Sequence, residues 1–128
     1  MRMCAVMEIN MNIDCKCKKV KKYQFETYLF YKNINGELHN LNGPAEILFY
    51  DKDLIKINAI SYYVGGNRHR EGDLPAYIFF NKDGSVQYES FHKIGRLHRD
   101  IGPARIWYKN GFMQDQEFWV DGRLKENS

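Results

Sequence analysis

A chain of 128 residues with 44% hydrophobic and 15% aromatic content can build one small domain with an ordinary apolar core, which argues against intrinsic disorder. Nine Tyr, eight Phe and two Trp against three Pro favour strands, because aromatic side chains suit a pleated, half-buried surface. The net charge of +3 is uneven: residues 1–22 carry six cations against Glu8 and Asp14, for +4, and residues 23–128 come to −1, so the body lacks the basic face that phosphate binding uses.

Residues 1–22 read as an N-terminal arm or cap. Met3 to Met7 is too short for a signal peptide core or a membrane span and is followed by Glu8. Cys4, Cys15 and Cys17 form an odd set confined to the start, whereas a secreted disulfide scaffold spreads an even set over its loops. A reducing compartment, the cytoplasm, is therefore expected. Cys15-Lys16-Cys17 with Cys4 shows no fourth ligand, so no metal is assigned there. Lys16, Lys18, Lys19, Lys21 and Lys22 read first as a solvated edge that discourages aggregation. The same run is the one stretch that could meet nucleic acid or an anionic membrane.

Residues 23–128 read as a single domain of β-hairpin repeats. Tyr23 to Tyr31 is the returning strand of an incomplete unit, and full units follow near 36–65, 66–94 and 95–121. Each opens on a glycine and a histidine and leads to a proline: Gly36, His39 and Pro44; Gly66, His69 and Pro75; Gly95, His98 and Pro103. Gly122-Arg123-Leu124-Lys125 starts a further copy, and the leading glycines are 30, 29 and 27 residues apart. After each proline comes an alternating strand, Ala45-x-Ile47-x-Phe49, Ala76-x-Ile78-x-Phe80 and Ala104-x-Ile106-x-Tyr108, whose period of two puts these residues on one face as an inner column. Asp83-Gly84 and Asn110-Gly111 mark tight hairpin turns, and Asp51-Lys52-Asp53, lacking Gly, marks a longer one. Return strands are predicted over 57–64, 86–92 and 112–120. One hairpin alone is marginal in water, so the fold expected is an all-β, antiparallel meander of stacked hairpins with a short N-terminal arm.

The recurring histidines are not expected to bind metal. Equivalent positions in successive hairpins lie two strands apart, about 9.5–10 Å, whereas ligands of one zinc sit about 2 Å from it. His39, His69 and His98, with Pro44, Pro75 and Pro103, are structural: each histidine braces its loop by bonding backbone or a neighbouring acid such as Asp100, and each proline fixes entry into the next strand. No nucleophile elbow surrounds Ser61, Ser85 or Ser90, and Glu71 and Asp100 belong to the repeat, so no catalytic residue and no cofactor is assigned.

The pattern Gly-x-Leu-His-Arg-x-x-Gly-Pro-Ala-x-Ile-x-Tyr, followed by Asn-Gly and an acidic, aromatic return strand, resembles the hairpin repeats of the MORN type (membrane occupation and recognition nexus). It is most similar to the LHR–GPA variants in large DNA viruses, phages and bacteria. The resemblance covers about residues 23–125; the second copy has an extra residue and Leu74 in place of Gly, and the first has Asn40 in place of Arg. It implies an elongated, MORN-like β-scaffold that binds other proteins, with lipid binding often suggested, and no shared enzymatic activity. A virus- or phage-encoded protein would act on a host or virion protein, in the host cytoplasm or the virion.

Alternation also names a working surface. Residues between the inner set face the other way, Glu46, Leu48 and Tyr50, then Tyr77 and Phe79, then Arg105 and Trp107. Leu48, Tyr77, Phe79, Arg105 and Trp107 are thus the candidate surface for a protein partner, because contiguous apolar surface marks interaction sites and Trp, Tyr and Arg dominate hot spots. The competing expectation is that the sheet curls, or that residues 1–22 fold over it, and this column becomes a second core. Open edge strands would also allow a homo-oligomer. The alternative function is a nucleic-acid-binding accessory protein using Lys16, Lys18, Lys19, Lys21 and Lys22.

Overall fold

The computed structural model describes residues 19–23 and 26–125. Its elements are all strands: β1 (Lys19–Tyr23), β2 (Glu26–Phe30), β3 (Glu46–Phe49), β4 (Ile57–Ser61), β5 (Tyr63–Val64), β6 (Asn67–Arg68), β7 (Tyr77–Phe80), β8 (Val86–Ser90), β9 (His92–Lys93), β10 (Arg96–Leu97), β11 (Arg105–Lys109), β12 (Phe112–Val120) and β13 (Arg123–Lys125). A nine-stranded sheet runs in the order β1-β2-β3-β4-β7-β8-β11-β12-β13, and β5-β6 and β9-β10 form two small hairpins beside it. Every pairing is antiparallel. The protein is therefore all-β with one large antiparallel sheet.

The Ile and aromatic positions of each Ala-x-Ile-x-aromatic segment fall on β3, β7 and β11, and Ala45, Ala76 and Ala104 stand just ahead of those strands. Cross-strand pairs carry one face through Leu29, Ile47, Ile60, Ile78, Glu89, Ile106 and Gln116. Of the expected isoleucine column only Ile106, at 7% exposure, is buried; Ile47 and Ile78, and Ile60 which pairs between them, are half-buried because among the described residues no second layer covers them. Full burial falls instead on Ala45, Ala76 and Ala104, whose N–H groups donate to the carbonyls of Ser61, Ser90 and Glu117 at 2.8–2.9 Å. A larger side chain there would push apart the strand junction that each alanine closes. At the C-terminal end, Phe91, Ala104 and Ile106 form a buried cluster with Tyr108 and Trp119 against it. The Tyr108 hydroxyl donates to Glu89 Oε1 at 2.7 Å, and burial first, then that carboxylate, push its pKa to about 12.

Three expectations change. The return strands are not continuous in the first two units: β4 gives way to β5, and β8 to β9, each small strand folding back through a turn onto β6 or β10. Those turns have two central residues at positive φ, Gly65 and Gly66 (57° and 84°) and Ile94 and Gly95 (47° and 82°), a mirror-image geometry that matches strand twist. Second, Asn110 and Gly111 take this geometry as expected, but in the Asp83-Gly84 turn only Gly84 has positive φ. There Asn81 N–H bonds Ser85 O and Gly84 N–H bonds Asn81 O, a longer turn braced by the Asp83 carboxylate on the Ser85 N–H and hydroxyl. Third, the segment assigned as an arm or cap contributes a strand, since Lys19, Val20, Lys21 and Lys22, with Tyr23, pair with β2. Lys16, Lys18 and the three cysteines lie outside the described residues.

Candidate binding face

The face opposite the isoleucines is built by strand register. One row runs Tyr28, Leu48, Ala59, Phe79, Tyr88, Trp107 and Asp115; the next runs Phe30, Glu46, Ser61, Tyr77, Ser90, Arg105 and Glu117. Leu48, Tyr77, Phe79, Arg105 and Trp107 therefore share one face. Large and small residues alternate across it: Ala59, Ser61 and Ser90, all at 2% exposure or less, lie beneath longer neighbours. Tyr88 stacks at 5.2 Å from Trp107 and 5.9 Å from Tyr77, so the aromatics form a tilted ladder rather than isolated rings.

Two arginines cover that ladder. Arg105, on β11, lies 4.9 Å from the Trp107 ring and donates to the Tyr88 hydroxyl at 2.8 Å, with Glu117 3.4 Å from its other arm. Arg68 reaches over from the small strand β6, sits 4.7 Å from the Tyr77 ring and donates to the Tyr63 hydroxyl at 2.9 Å. Burial raises the pKa of Glu46, opposed by the nearby Arg68 charge, and burial likewise raises that of Tyr77. His92, bonded to Ser90 Oγ at 2.9 Å, is held near pKa 4 by burial first and by the Arg68 and Arg105 charges second, so it is neutral at pH 7. Its Nδ1 and the Nε of Arg68 are buried without a hydrogen-bond partner. Alternation along the first strands is enough to find Leu48, Phe79 and Trp107. It misses Tyr88, because the extra residue Gln87 breaks the period of the return strand, setting Val86 against Phe80 and Tyr88 against Phe79, and it misses Arg68 and Tyr63, which enter from a hairpin too short to show one.

The histidine loops lie at the strand ends. The backbone N–H groups of Gly65, Ile94 and Asp121 donate to Nδ1 of His39, His69 and His98 at 2.8, 3.0 and 2.9 Å. Each donor belongs to the turn of the following small hairpin, so each imidazole ties one unit to the next. A backbone bond beside each reinforces it: Gly66 to Leu38 O, Gly95 to Arg68 O and Gly122 to Leu97 O. The ring proton is then on Nε2, which meets Glu71 at 2.7 Å in the second loop and Asp100 at 2.8 Å in the third. The carbonyls of Pro44, Pro75 and Pro103 each accept one bond at 3.0 Å, from Asn40, Arg70 and Arg99. The amide of Asn40 thus does what the arginines do elsewhere, without their stacking on Tyr62 and Phe91 at 3.9 Å. Arg99 also grips Asp73 of the preceding loop through two bonds of 2.8 and 3.0 Å. Between these loops lies an open cleft of about 430 Å³, lined among others by Leu74, His69, His98 and Ile101.

No group of three or more His, Cys, Asp or Glu among the described residues could hold a metal ion, and no described helix is long and apolar enough to cross a membrane. Comparison with protein-family models, with curated proteins and with solved structures finds no match.

Proposed function

We propose that this chain is a non-catalytic protein-interaction module of the MORN-like repeat type that holds a protein partner on its aromatic face. The observation that carries the reading is the row Leu48, Phe79, Tyr88 and Trp107, rimmed by Arg68 and Arg105, on a sheet face that side chains of the small hairpins β5-β6 and β9-β10 overlie only in part among the described residues. Such a surface presents rigid rings and fork-shaped donors already ordered by each other, so little side-chain entropy is lost when a partner docks. Neutral His92 adds no charge to it at pH 7. The resemblance to repeats of large DNA viruses and phages points to a host or virion protein as the partner.

A tagged chain and its Trp107→Ala variant, used to capture partners from cell extract with and without nuclease, test this. The variant should stay folded, losing about 0.5–1.5 kcal/mol from the lost ring stacking, and should lose a nuclease-resistant partner. A loss of roughly 3–5 kcal/mol with capture intact would place Trp107 in a core. Capture abolished by nuclease or moderate salt would favour nucleic-acid binding by the lysines instead.

A further inference from the structure

The sheet ends differently at its two edges, and the ends are complementary. Inside the sheet each return strand receives the next unit in one fixed register: Tyr28, Leu29 and Phe30 face Leu48, Ile47 and Glu46; Ala59, Ile60 and Ser61 face Phe79, Ile78 and Tyr77; Tyr88, Glu89 and Ser90 face Trp107, Ile106 and Arg105. On β12 the corresponding residues are Asp115, Gln116 and Glu117, which pair with Trp107, Ile106 and Arg105 as Tyr88, Glu89 and Ser90 pair with Phe79, Ile78 and Tyr77. Their other side has no strand among the described residues, because β13 pairs only with Phe118, Trp119 and Val120. The small strand β10 occupies the same place beside β9 and does not obstruct β11. Glu117 O accepts from Ala104, toward β11, so the alternate residue Gln116 directs its backbone groups to the open edge. Its N–H there donates to the Asp115 carboxylate, at 2.8 Å. Phe112 and Met113, at 77% and 54% exposure, stand beside this edge.

At the far end β1 is the last strand of the sheet among the described residues. It pairs with β2 as β7 pairs with β8: Lys19, Val20 and Lys21 face Phe30, Leu29 and Tyr28 as Tyr77, Ile78 and Phe79 face Ser90, Glu89 and Tyr88. It is thus the first strand of a hairpin, and among the described residues no strand pairs with its other side. We propose that a second copy of this chain docks head to tail, its β1 adding to β12 in the register that the sheet uses internally. That register sets Lys21 against Asp115, Val20 against Gln116 and Lys19 against Glu117. Directly opposed unlike charges stabilise a strand pair and like charges oppose it. Pairing β12 with β12 sets acid against acid, and pairing β1 with β1 sets lysine against lysine, so charge selects the heterologous contact, which leaves a free β12 and a free β1 on every assembly and lets it grow.

Sedimentation velocity on the full-length chain, from low micromolar to several hundred micromolar, tests this. The weight-average mass should climb past dimer with concentration and fall at high ionic strength. Asp115→Lys alone and Lys21→Glu alone should each stay monomeric while keeping the parent circular dichroism spectrum. An equimolar mixture of the two should assemble again, because opposite charges meet at every contact between one variant's position 115 and the other's position 21. Glu117 is left unchanged because its carboxylate is already held by Trp119 Nε1 and Arg105. A parent chain that is monomeric throughout, variants that associate as well as the parent, or a mixture of folded variants that stays monomeric would each overturn the proposal.

Discussion

His39 and His98 occupy the same place in loops two units apart, and each takes a backbone N–H from the following turn on Nδ1. They differ on the other side of the ring. His98 Nε2 meets Asp100 at 2.8 Å, whereas His39 Nε2 is buried with no partner, because Leu41 stands where Glu71 and Asp100 stand in the later loops. The tie between units needs only the Nδ1 bond. The acid two residues on is a separate addition that fixes the tautomer and satisfies the second nitrogen. A buried orphan costs desolvation that a paired nitrogen does not.

The comparison predicts unequal effects of the same substitution. His98→Ala removes both the tie to Asp121 and the bond to Asp100, and should destabilise by about 2–3 kcal/mol. His39→Ala removes one bond and also an orphaned nitrogen, so its cost should be nearer 1 kcal/mol. Urea unfolding of both variants measures the difference; equal costs would mean that the acid contributes nothing.

His92 stands outside the loop system and gives the next largest effect. Its pKa, about 4 in the folded chain against 6.5 for an ordinary imidazole, is depressed, so the unfolded chain binds a proton first as the pH falls. Its contribution is complete above the unfolded value and is lost as the pH drops from there toward the folded value, on the order of 2 kcal/mol after allowing for partial solvent exposure. Unfolding free energies measured over that window should fall more steeply for the parent than for His92→Gln. Parallel curves would show that the imidazole is not buried among the arginines.

Two smaller changes should improve the weaker ties. Ile94 holds the first central position of its turn at φ 47°, where the equivalent turns have Gly65 and Asp121. A β-branched residue is poorly suited to that conformation, so Ile94→Asn should raise stability by about 0.5–1 kcal/mol while leaving the N–H to His69 in place. Leu41→Asp should supply His39 with the missing acid and gain roughly 0.5–1 kcal/mol. The same change in a His39→Ala background should gain nothing, which a double-mutant cycle by thermal melting would show.

Much of this was legible in the chain itself. The alternation Ala45-x-Ile47-x-Phe49 and its two counterparts fixes which residues share a face, because the side-chain period of a strand admits no other arrangement. Asn110-Gly111 announces its turn for the equally local reason that both residues tolerate positive φ. The small hairpins were hidden because two-residue strands such as β6 and β10 carry no periodicity. Arg68 reached the candidate face by that hidden route. Strand β1 was masked by its lysines, which read as a solvated run until β2 gives them a partner. The burial of alanines in preference to isoleucines follows from the lack of a covering layer among the described residues, which no local pattern reveals.

The most direct measurement of which face works is site-specific photo-crosslinking in cell extract. A benzophenone amino acid is placed at Phe79 on the aromatic face or at its neighbour Ile78 on the opposite face; both positions are half-buried and lie on β7, so exposure and strand are matched. The expected result is a discrete, nuclease-resistant cross-linked protein from position 79 and none from position 78. Equal cross-linking from both, or cross-linking from position 78 alone, would contradict a partner held on the aromatic face.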